Sequence, residues 1–374
     1  MRDRGSPRTT DRRVVATGID ALCAHGRDWE LTFHQIASGT PAFGEVGRFA
    51  TEGRRVHRAA LLDGAGSLLA ELAGSVGRAL AQAGLTAAER AGCPLLLAAH
   101  SNETTEQGPL SSALAARTGL AGTERIYTTA CVAASTAVAD AAARIAAGQL
   151  ERIVVAAGYL VEPVQFALFD AGRALSRDGR MRPFSRDRQG VLLGDGVAAV
   201  VLEAAAGARS RGGRALAEVA GWGRAGDAYH VVRPDPGGSG LARAITAALD
   251  RAAVAPAEVG YVNANANGSA LGDPSEVAAL RAVFGERLAA VPVSSTKGAH
   301  GHALEASALL ELVVTIEALA CGILPVQAGF GSAEPQFADL DLVLNAPRPS
   351  RTGYALSLNS AFGGANTALL VGAV

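Results

Sequence analysis

Ten short apolar runs punctuate the chain. RVVATG, PLLLAAH, RIYTTA, RIVVAAG and GVAAVVLE fall in the first half, and ALAEVAGWG, GYVNA, VPVSS, YALSLN and NTALLVG in the second. Continuous runs of this length predict strands covered on both faces. Between them the pattern turns helical. CVAASTAVADAAARIAAGQL, from Cys131, is rich in Ala, offers Asp140 and Arg144 as an i,i+4 pair and predicts a stop at Gly148. HALEASALLELVVTIEALACG, from His302, is apolar almost all round, which predicts a helix buried inside the protein.

Each half runs from strand through turn and small-residue helix to further strands. The prediction is a layered α/β protein of two pseudo-duplicated halves, residues 13–205 and 206–374, after a flexible tail at 1–12. The two helix starts should meet near the middle. RPDPGGSG at 233–240 reads as a loop within the second half rather than a boundary.

Composition narrows the function classes. At 374 residues, 49% hydrophobic, the chain has the size for a substantial core. A net charge of −1 supplies no electrostatic footprint for nucleic acid or an anionic membrane. Cys23, Cys93, Cys131 and Cys321 form no CxxC pair, so reduced, cytoplasmic thiols are expected rather than a disulfide frame or zinc site. No apolar signal region follows the basic MRDRGSPRTTDRR, and VVATGI is too short to span a bilayer.

The candidate chemistry sits at the helix starts. YTTACVAAST puts Cys131 where a strand gives way to a helix, and the positive helix mouth favours thiolate, a good acyl acceptor. A small buried hydrophobe is the competing role for such a cysteine. In SSTKGAHGHALEAS the same field disfavours imidazolium, so His302 should be neutral and able to donate to a thioester carbonyl. His300 and His302 form an HxH pair without a third ligand in view, and no metal site is expected. Lys297 lies five residues before His302. GDPSE reads as a helix start with Asp273 as N-cap, Pro274 at the first position and Glu276 at the third, where Glu276 is also free to meet Lys297. Asn265, in YVNANANGSALGDPSE, is either a turn amide or a site amide. Gly363 and Gly364 permit unusual backbone angles after Phe362, where an N–H can serve an oxyanion hole.

Taken in order, these pieces resemble the β-ketoacyl synthase family of the thiolase superfamily. RVVATGI, TTACVAAS, ALSRDGRMRPFSRDRQGVLLGDGVAAVVLE, GDAYHVVRPDPGG, YVNANANGSALGDPSE, SSTKGAHGHALEAS and FGGANTALL carry the likeness over nearly the whole chain. It implies a thiolase-like layered αβαβα fold. It implies that Cys131 takes an acyl chain from an acyl carrier protein or coenzyme A, and that His302 binds the thioester carbonyl of the second substrate. Lys297 and Glu276 would form a buried ion pair. The Cys131 and Phe362 N–H groups would form the oxyanion hole, with the Phe362 ring as acyl gate. No metal or organic cofactor is implied; a homodimer, or a heterodimer with a related ketosynthase-like subunit, is.

The departures from the family pattern bear on mechanism. Asn265 replaces the first histidine of HGTGT, Asp195 stands for a usual Glu, and Ser360 for a usual aromatic. The stretch between the first strand and Cys131, which shapes the acyl tunnel, is short for the family. Three readings follow. The chain is a decarboxylating condensing enzyme of fatty-acid or polyketide-type biosynthesis with a Cys–Asn–His site. Alternatively, it is a non-elongating acyltransferase that passes the acyl group to another carrier, an amine or a hydroxyl. Or it is a non-catalytic partner resembling a chain-length factor, which retention of Cys131, His302 and Lys297 argues against.

Overall fold

The computed structural model describes residues 12–101 and 103–374; the tail expected at 1–12 lies, Arg12 apart, outside them. All ten apolar runs form strands. In chain order they are β1 (Val14–Cys23), β2 (Pro94–Ala98), β3 (Gly122–Tyr127), β4 (Arg152–Tyr159), β5 (Gly196–Ala204), β6 (Ala217–Gly226), β7 (Val259–Asn263), β8 (Pro292–Ser294), β9 (Tyr354–Ala361) and β10 (Ala365–Gly372).

Their pairing repeats. In the first half β3-β2-β4 are parallel, and β5 then β1 follow antiparallel. In the second, β8-β7-β9 are parallel, and β10 then β6 follow antiparallel. Each strand thus corresponds to the one five places later. The halves join edge to edge through two residue pairs of β1 and β6, Val15 with Glu218 and Ala16 with Ala217. A two-residue strand, Asp341–Leu342, extends the sheet beyond β8.

Six helices repeat in the same way: α1 (Leu68–Gln82), α2 (Leu110–Thr118), α3 (Ala133–Ala146), α4 (Ser239–Ala252), α5 (Gly272–Phe284) and α6 (Ser307–Cys321). α1 packs on β1 and β5, and α4 on β6 and β10, covering the outer faces. α3 and α6 lie between the two half-sheets and touch each other and strands of both, giving five layers. Close approach is bought with glycine at equivalent places. A Cβ on Gly18 of β1 would sit 2.0 Å from the Ala79 carbonyl oxygen of α1, and one on Gly221 of β6 the same distance from that of Ala248 in α4.

α3 is buried through Ala133, Ala134, Ala137, Ala139, Ala141 and Ala142, and α6 is buried continuously from Ser307 to Ile316. The Asp140–Arg144 pair expected from spacing does not form. Asp140 instead accepts from the Tyr127 hydroxyl at 2.7 Å and meets Arg125 and, from the second half, Arg224 at 2.8 Å, while Arg144 turns to Glu124. Tertiary partners outcompete a helical pair of a few tenths of a kcal/mol.

Candidate active site

β3 ends at Tyr127, and a single 3-10 turn, Ala130–Val132, places Cys131 at the mouth of α3. A matching turn, Leu304–Ala306, opens α6, and His302 lies just before it. The backbone of His302 is fixed on both sides: its N–H donates to Leu192 O at 2.8 Å and its carbonyl accepts from Gly194 N at 3.0 Å. The two mouths bring Cys131 Sγ to 3.0 Å from His302 Nε2.

His302 Nδ1 lies 2.7 Å from Ser307 Oγ, which also accepts the Ala303 N–H at 2.8 Å. The hydroxyl hydrogen of Ser307 is then best spent on Nδ1, which leaves the ring proton on Nε2, facing the sulfur. Burial, with Lys297 adding, lowers the imidazole to about 3, so it is neutral as the sequence implies. The thiol departs from expectation. Burial pushes it up to about 12, the Glu305 carboxylate adds to that and Lys297 opposes it. Dehydration outweighs the favourable helix-mouth field, and the resting pair is a thiol beside a neutral imidazole.

Asn265 follows β7 and lines the same cavity as Cys131, His302, Phe169, Ser360 and Phe362. Its backbone N–H donates to Glu276 Oε1 at 2.7 Å, which fixes the loop, while its side-chain oxygen is buried without a partner. The capping expected of GDPSE is not what forms. α5 starts earlier, at Gly272, and Asp273 is fully buried. Its carboxylate accepts from the N–H groups of Phe184, Asn267 and Gly268. Two donors from the preceding loop and one from Phe184, far away in the chain, hold it more firmly than one cap bond would.

Lys297 corrects a second expectation. Its ammonium pairs with Glu311 Oε1 of α6 at 2.5 Å, not with Glu276. Glu311 Oε2 accepts from Asn359 Nδ2 at 2.7 Å. The sequence held a signal for this: a carboxylate set between leucines and valines, as in LLELVV, demands a buried countercharge. Ser307 and Glu305 were also missed; a hydroxyl or an acid at a helix start reads as a cap, which hides other roles. His300 has its Nε2 3.1 Å from Thr296 Oγ1, and among the described residues no three potential ligands gather as a metal site.

Phe362, Gly363 and Gly364 form the turn between β9 and β10, with φ of +88° and +74° at the glycines. The Phe362 ring is 58% exposed and stands 6.1 Å from the Phe169 ring at the cavity mouth. Among the described residues, no carbonyl takes the N–H of Cys131 or of Phe362.

The sequence and the fold both have relatives among known proteins. Residues 75–208 match the family described as Beta-ketoacyl synthase, N-terminal domain, and residues 216–331 match its C-terminal domain. The chain is 33% identical over 404 residues to Nodulation protein E of Rhizobium leguminosarum bv. trifolii, covering 96% of this chain and 98% of that protein. It is 36% identical over 259 residues to the tetracenomycin polyketide synthase ketoacyl synthase alpha subunit of Streptomyces glaucescens, covering 68% of this chain and 61% of that one. Among solved structures, a β-ketoacyl synthase from Burkholderia phymatum superposes with a TM-score of 0.88 at 27% identity, over 97% of this chain and 99% of that chain. The ishigamide ketosynthase/chain length factor does so with 0.88 at 26%, over 97% and 100%.

Proposed function

The chain belongs to the β-ketoacyl synthase family, and from that premise we propose that it is a condensing acyltransferase whose nucleophile is Cys131. The observation that carries this reading is the 3.0 Å approach of His302 Nε2 to Cys131 Sγ inside a cavity that also holds Asn265 and Phe362. In the first stage Cys131 attacks an acyl carrier protein or coenzyme A thioester. The N–H groups of Cys131 and Phe362 hold the oxyanion. The donor C–S bond breaks, and the thiol proton ends on the departing carrier.

In the second stage a malonyl thioester loses carbon dioxide. The electron pair left behind forms an enolate whose oxygen accepts from His302 Nε2–H and the Asn265 amide. The enolate carbon attacks the acyl-cysteine carbonyl, the C–S bond to Cys131 breaks, and the sulfur regains a proton. Losing one oxyanion donor typically costs about 3–4 kcal/mol, and an amide in place of an imidazole costs less than outright loss. The Lys297–Glu311 pair and Glu276 support the site from behind. The acyl carrier protein is the proposed partner, and β3, an open edge of the sheet, is available to a second subunit of the same or a related kind.

One observation favours the non-elongating alternative: the buried Asn265 side-chain oxygen has no donor. An incoming amine or hydroxyl would supply one, and acyl transfer to it needs no decarboxylation. The test is to offer the protein acyl- and malonyl-loaded carrier protein, following Cys131 acylation by intact mass and carbon dioxide release. Acylation with release supports condensation. Acylation without release supports the alternative, and no acylation by any thioester refutes both.

A further inference from the structure

A second cavity, of about 410 Å³, opens where three loop segments meet. It shares no lining residue with the cavity at Cys131, which measures about 70 Å³. Its volume falls in the range of small-molecule sites. One segment brings Phe43 and Arg58, a second Arg180, Arg182 and Asp187, and the third Phe330. The chain itself holds these walls in place. Arg58 Nη2 donates to Phe43 O at 2.6 Å, the Ala42 N–H to Ala299 O at 2.8 Å, and the Gly331 N–H to Ser185 Oγ at 2.9 Å. The space is therefore formed before any guest arrives.

The lining is electrostatically one-sided: its arginines outnumber its single aspartate. Arg182, nearly buried, is neutralised by Asp178 and by Asp187, whose Oδ2 lies 3.0 Å from Arg182 Nε. Among the described residues neither Arg58 nor Arg180 pairs with a carboxylate. Gly179, at φ +67°, sets the two side by side. A Cβ there would lie 2.6 Å from Arg58 Cδ, so the Arg58 stem rests on the residue just before Arg180. Two adjacent unpaired guanidiniums in a cleft concentrate positive potential, and their forked donors suit a phosphate. Phe43 and Phe330 add aromatic walls and make no ring contact with each other, which leaves both rings to a flat guest. Asp187, partly exposed, accepts from Ser332 Oγ at 3.0 Å and has acceptor capacity left for a hydroxyl.

We propose that this cavity binds a nucleoside monophosphate, with the phosphate between Arg58 and Arg180, the base against Phe43 and Phe330, and a ribose hydroxyl donating to Asp187. Phosphate, flat ring and hydroxyl are the three groups that the lining answers, and this ligand class carries all three on one small frame. The acyl chemistry proposed for Cys131 uses none of these residues, so the site is separate from it. Gly298 also lines the cavity, one residue after Lys297. The occupant therefore lies against the loop that carries Lys297 and His302.

The test is calorimetric titration of the full chain with AMP, GMP, CMP and UMP, with the matching nucleosides, and with inorganic phosphate. At least one monophosphate should bind with a Kd below about 1 mM, and at least about tenfold more tightly than its nucleoside or phosphate alone. Arg58→Ala and Arg180→Ala should each weaken that binding by about tenfold or more, and Phe330→Ala should shrink its lead over phosphate. Arg180 is exposed, so Arg180→Ala decides even if another variant fails to fold. Cys131 loading, read by intact mass, should be unchanged in Arg180→Ala with acyl-coenzyme A and with acyl-N-acetylcysteamine alike. If only the coenzyme A loading falls, the nucleotide end of coenzyme A is the occupant and the separate ligand is overturned. No monophosphate binding up to about 10 mM, binding that survives both arginine variants, or phosphate binding as tightly as any monophosphate overturns the inference. None of these outcomes touches the nucleophile assignment.

Discussion

Lys297 Nζ and Glu311 Oε1 lie 2.5 Å apart with side chains no more than 1% exposed, and this pair ties the loop bearing His302 to the central helix α6. Removing one partner of a buried pair strands the other charge and costs about 3–5 kcal/mol. Glu311→Gln should show that loss in urea unfolding. Glu276→Gln should lose far less, because the new amide oxygen still accepts the Asn265 N–H. Equal losses would contradict the pairing.

Glu276 should instead reveal itself through pH. Burial pushes its carboxyl up to about 8 from an ordinary 4.5, with the Asn265 N–H opposing. The folded state therefore binds this proton more tightly than the unfolded chain. The stability it contributes is complete below pH 4.5 and is lost as pH rises through 8, with a slope of up to about 1.4 kcal/mol per pH unit. Stability against pH for the wild type and Glu276→Gln checks this: the variant should be flatter across that window.

Ser307 is a positioning residue for His302. Without its hydroxyl on Nδ1, the ring proton is free to move off Nε2. Ser307→Ala should lower kcat for carrier-dependent condensation by about tenfold with little change in KM, and Ser307→Thr should restore it. A loss of thermal stability alone, with kcat intact, would make Ser307 merely structural.

Asn265→His should leave Cys131 acylation unchanged and raise carbon dioxide release from malonyl carrier protein by about 10-fold to 100-fold. An unchanged or lower release rate would mean that the amide is not a weakened enolate donor.

The two glycines after Phe362 should differ. A Cβ on Gly364 would meet Asp227 Cβ at 2.8 Å, whereas one on Gly363 meets nothing within 4 Å. Gly363→Ala should cost only the strain of a positive φ, about 1–2 kcal/mol. Gly364→Ala should cost more in thermal unfolding, because Asp227 anchors Asp235 and Asn366 and has little freedom to retreat.

Most strands were legible because a strand covered on both faces must be apolar at nearly every position; β3, an edge strand exposed at Glu124 and Arg125, and β6, fully buried only at alternate positions, are not covered as the sequence predicts. Cys131, His302 and Asn265 were legible because strand-to-helix turns leave local marks. Choices among partners were not legible. Both Glu276 and Glu311 are within reach of Lys297 in sequence terms, and only the packing of α6 between the half-sheets selects Glu311. Asp273 carries every local sign of a helix cap, yet Phe184, 89 residues away, claims its carboxylate. A chain's local pattern fixes which segments bury and how they are built, because those are short-range costs. Which buried charge meets which depends on distances that exist only after the layers have closed.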